Sequence, residues 1–189
     1  TTAGTGSEVT YIAVIKDHQE GRKLLFGDYN ILPNVAILDP KMTEGLPPKL
    51  TAATGMDAMC HAIEALHSLQ REPIADGLAL HAIRLIKEFL PRAVDNGKDM
   101  AARGQMLISA NMAGSAFSNA QVGLVHALAH SVGAVFGVHH GLANSILLPA
   151  CLRYNADACQ DVYLNVLSAL GVGTEGIQPD KVAEIVADK

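Results

Sequence analysis

The character of the chain changes near residue 45, and that change restricts the fold more than any other feature. From Pro47 onward, apolar residues recur at the three- and four-residue spacing of helices packed on one face. The spacing predicts helices over 48–69, 74–95, 98–118, 122–136, 141–153 and 160–170. Pro47 and Pro48 suit a helix start, where a missing N–H costs little, and Gly55, Gly97, Gly104, Gly114, Gly123, Gly133 and Gly141 punctuate the series. Before residue 45 the pattern is different, with apolar runs at 9–15, 23–26 and 35–38, the first and third carrying β-branched residues. The first two flank Asp17-His18-Gln19-Glu20-Gly21, a polar loop with glycine, which predicts a hairpin. The third is a short continuous apolar run closed by Asp39-Pro40, the pattern of a strand buried on both faces. The expected class is therefore α/β plus all-α: the end of an α/β domain over 1–45, then an all-helical domain over 46–189. Thr1 is not a start methionine, and residues 180–189 read as a helix with no stop signal. The chain is accordingly expected to be a piece of a longer protein, cut at its C-terminus as well.

Composition removes several function classes. With 189 residues, 49% of them hydrophobic and 17% charged, the chain has the material for a core, which excludes intrinsic disorder. A net charge of −5 argues against a nucleic-acid partner, which would call for a basic stripe. No uninterrupted apolar run approaches the ~18 residues of a membrane span, and nothing resembles a secretory signal. Cys60, Cys151 and Cys159 are scattered and form no CxxC pair, which suits the reducing cytoplasm and argues against a disulfide frame or zinc ribbon.

Eight histidines stand out: His18, His61, His67, His81, His126, His130, His139 and His140. Taken singly, each reads as a surface or satisfied core residue, but spacing singles some of them out. Asp57 and His61 are four apart among apolar neighbours, so a carboxylate and an imidazole share one helix face. That pair serves equally as two metal ligands or as a hydrogen bond inside a core. His126 and His130 repeat the spacing within residues 123–133, where only they and Ser131 are polar. Two imidazoles in so apolar a helix need partners, and a metal is the most economical one. Ala127 stands where a zincin carries glutamate, which argues against that class. His139 and His140 are adjacent at a helix start, so at most one joins a common site. One carboxylate with imidazoles and no thiolate suits iron(II), zinc, cobalt or nickel rather than calcium or magnesium. The opening Thr1-Thr2-Ala3-Gly4-Thr5-Gly6-Ser7-Glu8 is small and hydroxyl-rich. It suits close approach of backbone N–H groups to an anion or cofactor, or a plain loop, and it is neither a Rossmann GxGxxG nor a Walker loop. Nucleophile chemistry has little support, because Cys60 and His61 face apart and Ser7 lacks a GxSxG elbow.

Three segments together carry a family resemblance. Thr1-Thr2-Ala3-Gly4-Thr5-Gly6-Ser7-Glu8-Val9-Thr10 resembles the TTAGTGSEVT segment of the iron-containing (group III) alcohol dehydrogenases. Ala53-Thr54-Gly55-Met56-Asp57-Ala58-Met59-Cys60-His61-Ala62-Ile63-Glu64-Ala65 is similar to that family's first metal motif. Residues 123–133, with His140-Gly141-Leu142-Ala143-Asn144 and Leu148-Pro149, are similar to its second. The resemblance implies that residues 1–45 are the C-terminal part of a nicotinamide-binding α/β domain and 46–189 a helical metal-binding domain. It implies Asp57, His61, His126 and His140 as ligands of Fe(2+) or another divalent ion such as zinc. His130 would line the substrate side as a proton relay, and His139 would not ligate. Thr1, Thr2, Gly4, Thr5, Thr10 and Lys23 would lie on the NAD or NADP side. The implied activity is hydride transfer between a primary alcohol or aldehyde and NAD(P), in a homodimer; the apolar walls of such a pocket would be Phe117, Leu124 and Val138. The family's glycine-rich pyrophosphate loop is not in these residues. Rival readings are a zinc enzyme of the glycerol-dehydrogenase or dehydroquinate-synthase-like kind, which share the architecture, and a non-catalytic helical domain stabilised by metal.

Overall fold

The computed structural model describes residues 1–17 and 19–189; His18 lies outside the described residues. The opening loop leads through a short 3-10 turn, Ser7–Val9, into β1 (Ile12–Asp17), which pairs antiparallel with β2 (Arg22–Gly27) from Ile12 opposite Gly27 to Asp17 opposite Arg22. This is the expected hairpin, although its first strand starts three residues later, because residues 7–9 take the turn. Seven α-helices follow among the described residues: α1 (Pro48–His67), α2 (Pro73–Asp95), α3 (Met100–Ala120), α4 (Leu124–Phe136), α5 (His140–Tyr154), α6 (Gln160–Ala169) and α7 (Val182–Ala187). The six expected helices are found with ends shifted by two residues or fewer, and the terminal run forms α7. The arrangement is mostly helical with one small sheet.

The third apolar run is a correction. Residues 35–38 form no strand, and Val35 and Ile37 are 74% and 85% exposed. Among the described residues no strand lies beside them, and an extended segment without a neighbour has no ladder to join.

Side-chain caps set several helix starts. Glu72 accepts from the backbone N–H groups of Ile74 and Ala75 at the head of α2, and Asp99 accepts from Ala102 at the head of α3. α1 is the central element and packs against α2, α3 and α5. Its neighbours approach closely because the contact positions are small: Ala58, Ala62, Ala65, Ala79, Ala82, Ala113 and Ala116 are all fully buried. Between them sit Ile83 and Ile86, each nearly inaccessible and each worth about 1.5–3 kcal/mol in burial. α4 pairs with α5, β2 rests on α4, and α7 packs on α5 and α6. No helix among the described residues is long and apolar enough to cross a membrane.

Candidate metal centre

One turn of α1 separates Asp57 from His61, so both side chains leave the same face, and both are buried. α4 brings in buried His126, and the first residue of α5 brings in His140. Donor atoms of Asp57, His61 and His126 lie within 4.8 Å of one another. Nε2 of His126 and Nε2 of His140 stand 3.7 Å and 3.6 Å from Asp57 Oδ1. The His61 and His126 rings stack at 4.3 Å between centroids, and Phe117 stacks on His61 at 4.2 Å. His130 stands at the edge of the group, 4.9 Å from the His140 ring and 6.1 Å from that of His126. All four expected ligands and the expected relay thus converge. Adjacent His139 turns away and lines a separate apolar pocket with Met56 and Leu142. His67 bonds Tyr163 instead, and His81 is exposed.

The spacing of Asp57 and His61 also suits a hydrogen bond between them. Asp57 Oδ1 instead accepts from Asn144 Nδ2 at 2.6 Å. That amide nitrogen also stands 3.1 Å from His126 Nε2 and 3.3 Å from His140 Nε2. Glu64, fully buried on α1, closes on His126 from the other ring nitrogen, Nδ1. Neither Glu64 nor Asn144 stood out as a site residue in the sequence. The signal was there, since each is a polar side chain inside an apolar helical run and such a group needs a partner.

Burial and charge give the imidazoles different protonation. Burial, reinforced by the positive charge of His126, lowers His61 to about 3. Burial, with Lys23 and His126 adding to it, lowers His130 to about 4. Burial likewise outweighs the attraction of Asp57 and lowers His140 to about 4. For His126 burial also opposes the charge, yet the carboxylates of Asp57 and Glu64 overcome it and raise the ring to about 9. Burial pushes the Asp57 carboxyl up, but the surrounding imidazoles hold it well below its ordinary range. Near neutral pH the group therefore presents the Asp57 carboxylate, three neutral imidazoles and a fourth imidazole, His126, in its protonated form.

These residues fit a borderline divalent ion. The donors are a carboxylate and imidazoles without thiolate. His61 Nδ1, His140 Nδ1 and Asn144 Oδ1 are buried and have no hydrogen-bond partner among the described residues.

The cluster opens into a cleft of about 590 Å³ that also takes in Thr5, Ser7 and Thr10 of the opening loop, and Ile12, Val14, Lys23 and Leu25 of the hairpin. Lys23 is half-buried there, and burial, with Lys16 adding and Asp57 opposing, lowers its pKa. Thr1, Thr2 and Gly4 lie outside this lining. Gly4 packs on α1, where a Cβ would come 2.6 Å from the Thr54 carbonyl oxygen. Of the expected apolar walls, Phe117 lines the cleft; Leu124 packs on the core and Val138 lies outside the lining, while Val122 takes a place in it.

Residues 51–189 match the family described as Fe-containing alcohol dehydrogenase, C-terminal, and residues 1–40 match iron-containing alcohol dehydrogenase. The chain is 43% identical over 184 residues to the NAD-dependent methanol dehydrogenase of Bacillus methanolicus, covering 97% of this chain and 48% of that protein. It is 42% identical over 185 residues to the 1,3-propanediol dehydrogenase of Citrobacter freundii, covering 98% and 48%. The solved alcohol dehydrogenase of Oenococcus oeni superposes with a TM-score of 0.96 at 38% identity, covering 100% of this chain and 49% of that one. The chain spans about half the length of the curated relatives it matches. With matched segments running through both the hairpin region and the helices that carry the histidines, the chain belongs to the iron-containing alcohol dehydrogenase family.

Proposed function

We propose that the chain carries the metal-binding and substrate-facing part of an NAD(P)-dependent alcohol dehydrogenase that interconverts small primary alcohols and aldehydes. The observation that carries this reading is the convergence of Asp57, His61, His126 and His140 at a cleft shared with Thr5, Thr10 and Lys23. On this reading residues 1–45 complete an α/β nicotinamide-binding domain and 46–189 form the metal domain. Iron(II) is the expected ion from the family; zinc, cobalt and nickel suit the same donors. A divalent ion there supplies Lewis acidity to an alcohol or carbonyl oxygen, and a nicotinamide supplies the hydride partner.

The chain's own residues do the rest. Asp57 gives the site a negative charge that offsets part of the charge of a cation. His61 and His140, neutral near pH 7, present ring nitrogens as ligands. Phe117 walls the cluster with an apolar ring, which strengthens electrostatic interactions inside by excluding water. His130, neutral by burial and next to His140, takes the hydroxyl proton toward the open side of the cleft. Thr5, Thr10 and Lys23 offer hydroxyls and a cation where the phosphate and ribose edges of a dinucleotide need partners. A homodimer belongs to this reading on the family resemblance, and a cytoplasmic location on the three scattered cysteines.

The test compares the full-length protein with its His140→Ala variant, counting metal per chain and following NAD(P)H-dependent aldehyde reduction. About one ion per chain and turnover, both lost in the variant, is the expected result. Turnover at wild-type level in the variant overturns the ligand assignment. A bound ion that raises the melting temperature with no aldehyde reduction favours the non-catalytic alternative.

A further inference from the structure

Glu64 is a fully buried carboxylate in an apolar stretch of α1, three residues beyond His61. Both of its oxygens are engaged. Oε1 accepts from the backbone N–H of Val125 at 2.7 Å, and Oε2 meets His126 Nδ1. Val125 is the second residue of α4, and Gly123 ahead of it offers no side-chain cap. A carboxylate from one helix therefore terminates another, and the same carboxylate holds the ring of the next residue. Gly123 makes room for it: a Cβ there would come 3.0 Å from Glu64 Oε1.

An ionised carboxylate only accepts hydrogen bonds, so His126 Nδ1 must donate. Donation fixes the proton on Nδ1 and the plane of the ring, and it points Nε2 toward Asp57. We propose that Glu64 is a positioning residue of the metal centre, one that sets the tautomer and orientation of His126 so that Nε2 is the ligand atom. Carboxylate–histidine pairs of this kind raise ligand basicity and tune metal affinity. The proposal rests on the metal reading given above.

A purely structural Glu64, which only caps α4, is the competing account, and the two need different chemistry. Capping needs one acceptor oxygen; setting the tautomer needs a second one. Glu64→Gln separates them. Its amide oxygen can still accept from Val125, while its NH₂ faces Nδ1 and drives the His126 proton to Nε2. Cobalt(II) is the probe, titrated into the metal-free full-length protein with affinity and visible absorption as readouts and His126→Ala run alongside. Glu64→Gln is expected to bind cobalt about 10- to 100-fold more weakly, with an altered absorption band. Wild-type affinity and spectrum in Glu64→Gln overturn the proposal, whatever happens to the melting temperature, and leave the metal reading standing. If wild type takes no cobalt, or His126→Ala takes it equally well, the metal reading itself falls and the proposal with it. Should Glu64→Gln fail to fold, Gly123→Ala decides, because its Cβ presses on Oε1: weaker cobalt binding supports the tether, and unchanged binding overturns it.

Discussion

The two halves of the histidine cluster are held by different means. Asp57 and His61 belong to α1, whose Ala58, Cys60, Ala62 and Ala65 are all completely buried in the packing of α2, α3 and α5 around it. His126 and His140 belong to the α4–α5 pair, which has an open side: Val135, Phe136 and Ile146 are 69%, 76% and 65% exposed. Around the cluster, that pair is tied to α1 by a few specific contacts: Glu64 to Val125 and His126, Asn144 to Asp57, and the close approach of Gly141 to Ala53. Donors on α1 are thus fixed by dense packing spread over many side chains. Donors on α4 and α5 share in that packing through Val125, Leu148 and Leu152, but they also lean on single contacts that one substitution can remove. A helix core and a ligand set can share one site and still differ in how much change each tolerates.

Gly141→Ala should break this arrangement most severely. A Cβ at position 141 would collide with the Ala53 carbonyl oxygen and come 2.7 Å from its carbon. Both partners are backbone, so the only relief is for the start of α5 to lift off α1, carrying His140 with it. The expected destabilisation is at the upper end of about 1–3 kcal/mol, with metal binding weakened more than about tenfold. Gly104→Ala inside α3, where an added Cβ meets nothing within 4 Å, serves as the control: it should leave metal affinity unchanged and raise stability by about 0.5–1 kcal/mol, as a glycine-to-alanine change in a helix does. Calorimetry and metal titration of the two variants check this. A Gly141→Ala protein with wild-type metal affinity would show that close backbone contact does not seat His140.

The same division explains what the sequence could reveal. The helices were legible because their apolar periodicity reports partners within the chain: Ile83, Ile86 and Leu90 do meet α1 and α3 in one core. The i,i+4 pairs Asp57–His61 and His126–His130 were legible because helix geometry alone puts them on common faces. That His126 and His140 meet Asp57 follows from the α1–α5 and α4–α5 packing, which spacing does not encode. Glu64 and Asn144 announced themselves only as polar residues in apolar runs, and a sequence does not say which partner satisfies a buried group. The 35–38 run reads as a buried strand because composition records the surroundings a segment suits, and nothing among the described residues supplies them.

Acidity should sharpen the comparison. The folded pKa values of His61, His130 and His140 lie at about 3, 4 and 4, below the ~6.5 of an unfolded histidine. As pH falls below ~6.5 the unfolded chain takes up protons first, so stability drops by up to ~1.4 kcal/mol per pH unit for fully buried His61. The half-open His130 and His140 add less. His126 has the opposite sign. Its folded value of about 9 contributes stability that is complete below ~6.5 and is lost as pH rises toward it. The metal-free protein should therefore melt highest at about pH 6.5–7, with a fall on each side. Metal loading should abolish the alkaline fall, because a ligating His126 has already released that proton. Melting curves from about pH 5 to pH 9.5, with and without metal, test both limbs. A flat metal-free profile on the acid side would mean that His61 on α1, and with it His130 and His140, is not held neutral by burial.

The smallest effect is expected at the far end of α5. Arg153 there donates twice to Glu184, from Nε at 2.6 Å to Oε2 and from Nη2 at 2.9 Å to Oε1. This ties α5 to the α7 segment, thirteen helical steps or about 20 Å from His140 at the rise of an α-helix. Both partners are open to water, with side chains 45% and 51% exposed, so solvent and salt screen the pair. Arg153→Ala should move the melting temperature by about 2 °C or less, a difference that should vanish in about 1 M salt, and should leave metal affinity at the wild-type level. The distal pair and the cluster contacts grip the same helix, so the variant asks which of them sets its register. Unchanged affinity would locate control of His140 at Gly141 and Asn144. Weakened affinity would mean that α5 transmits strain along its length as a rigid rod, and the α4–α5 half would then be held as globally as the α1 half.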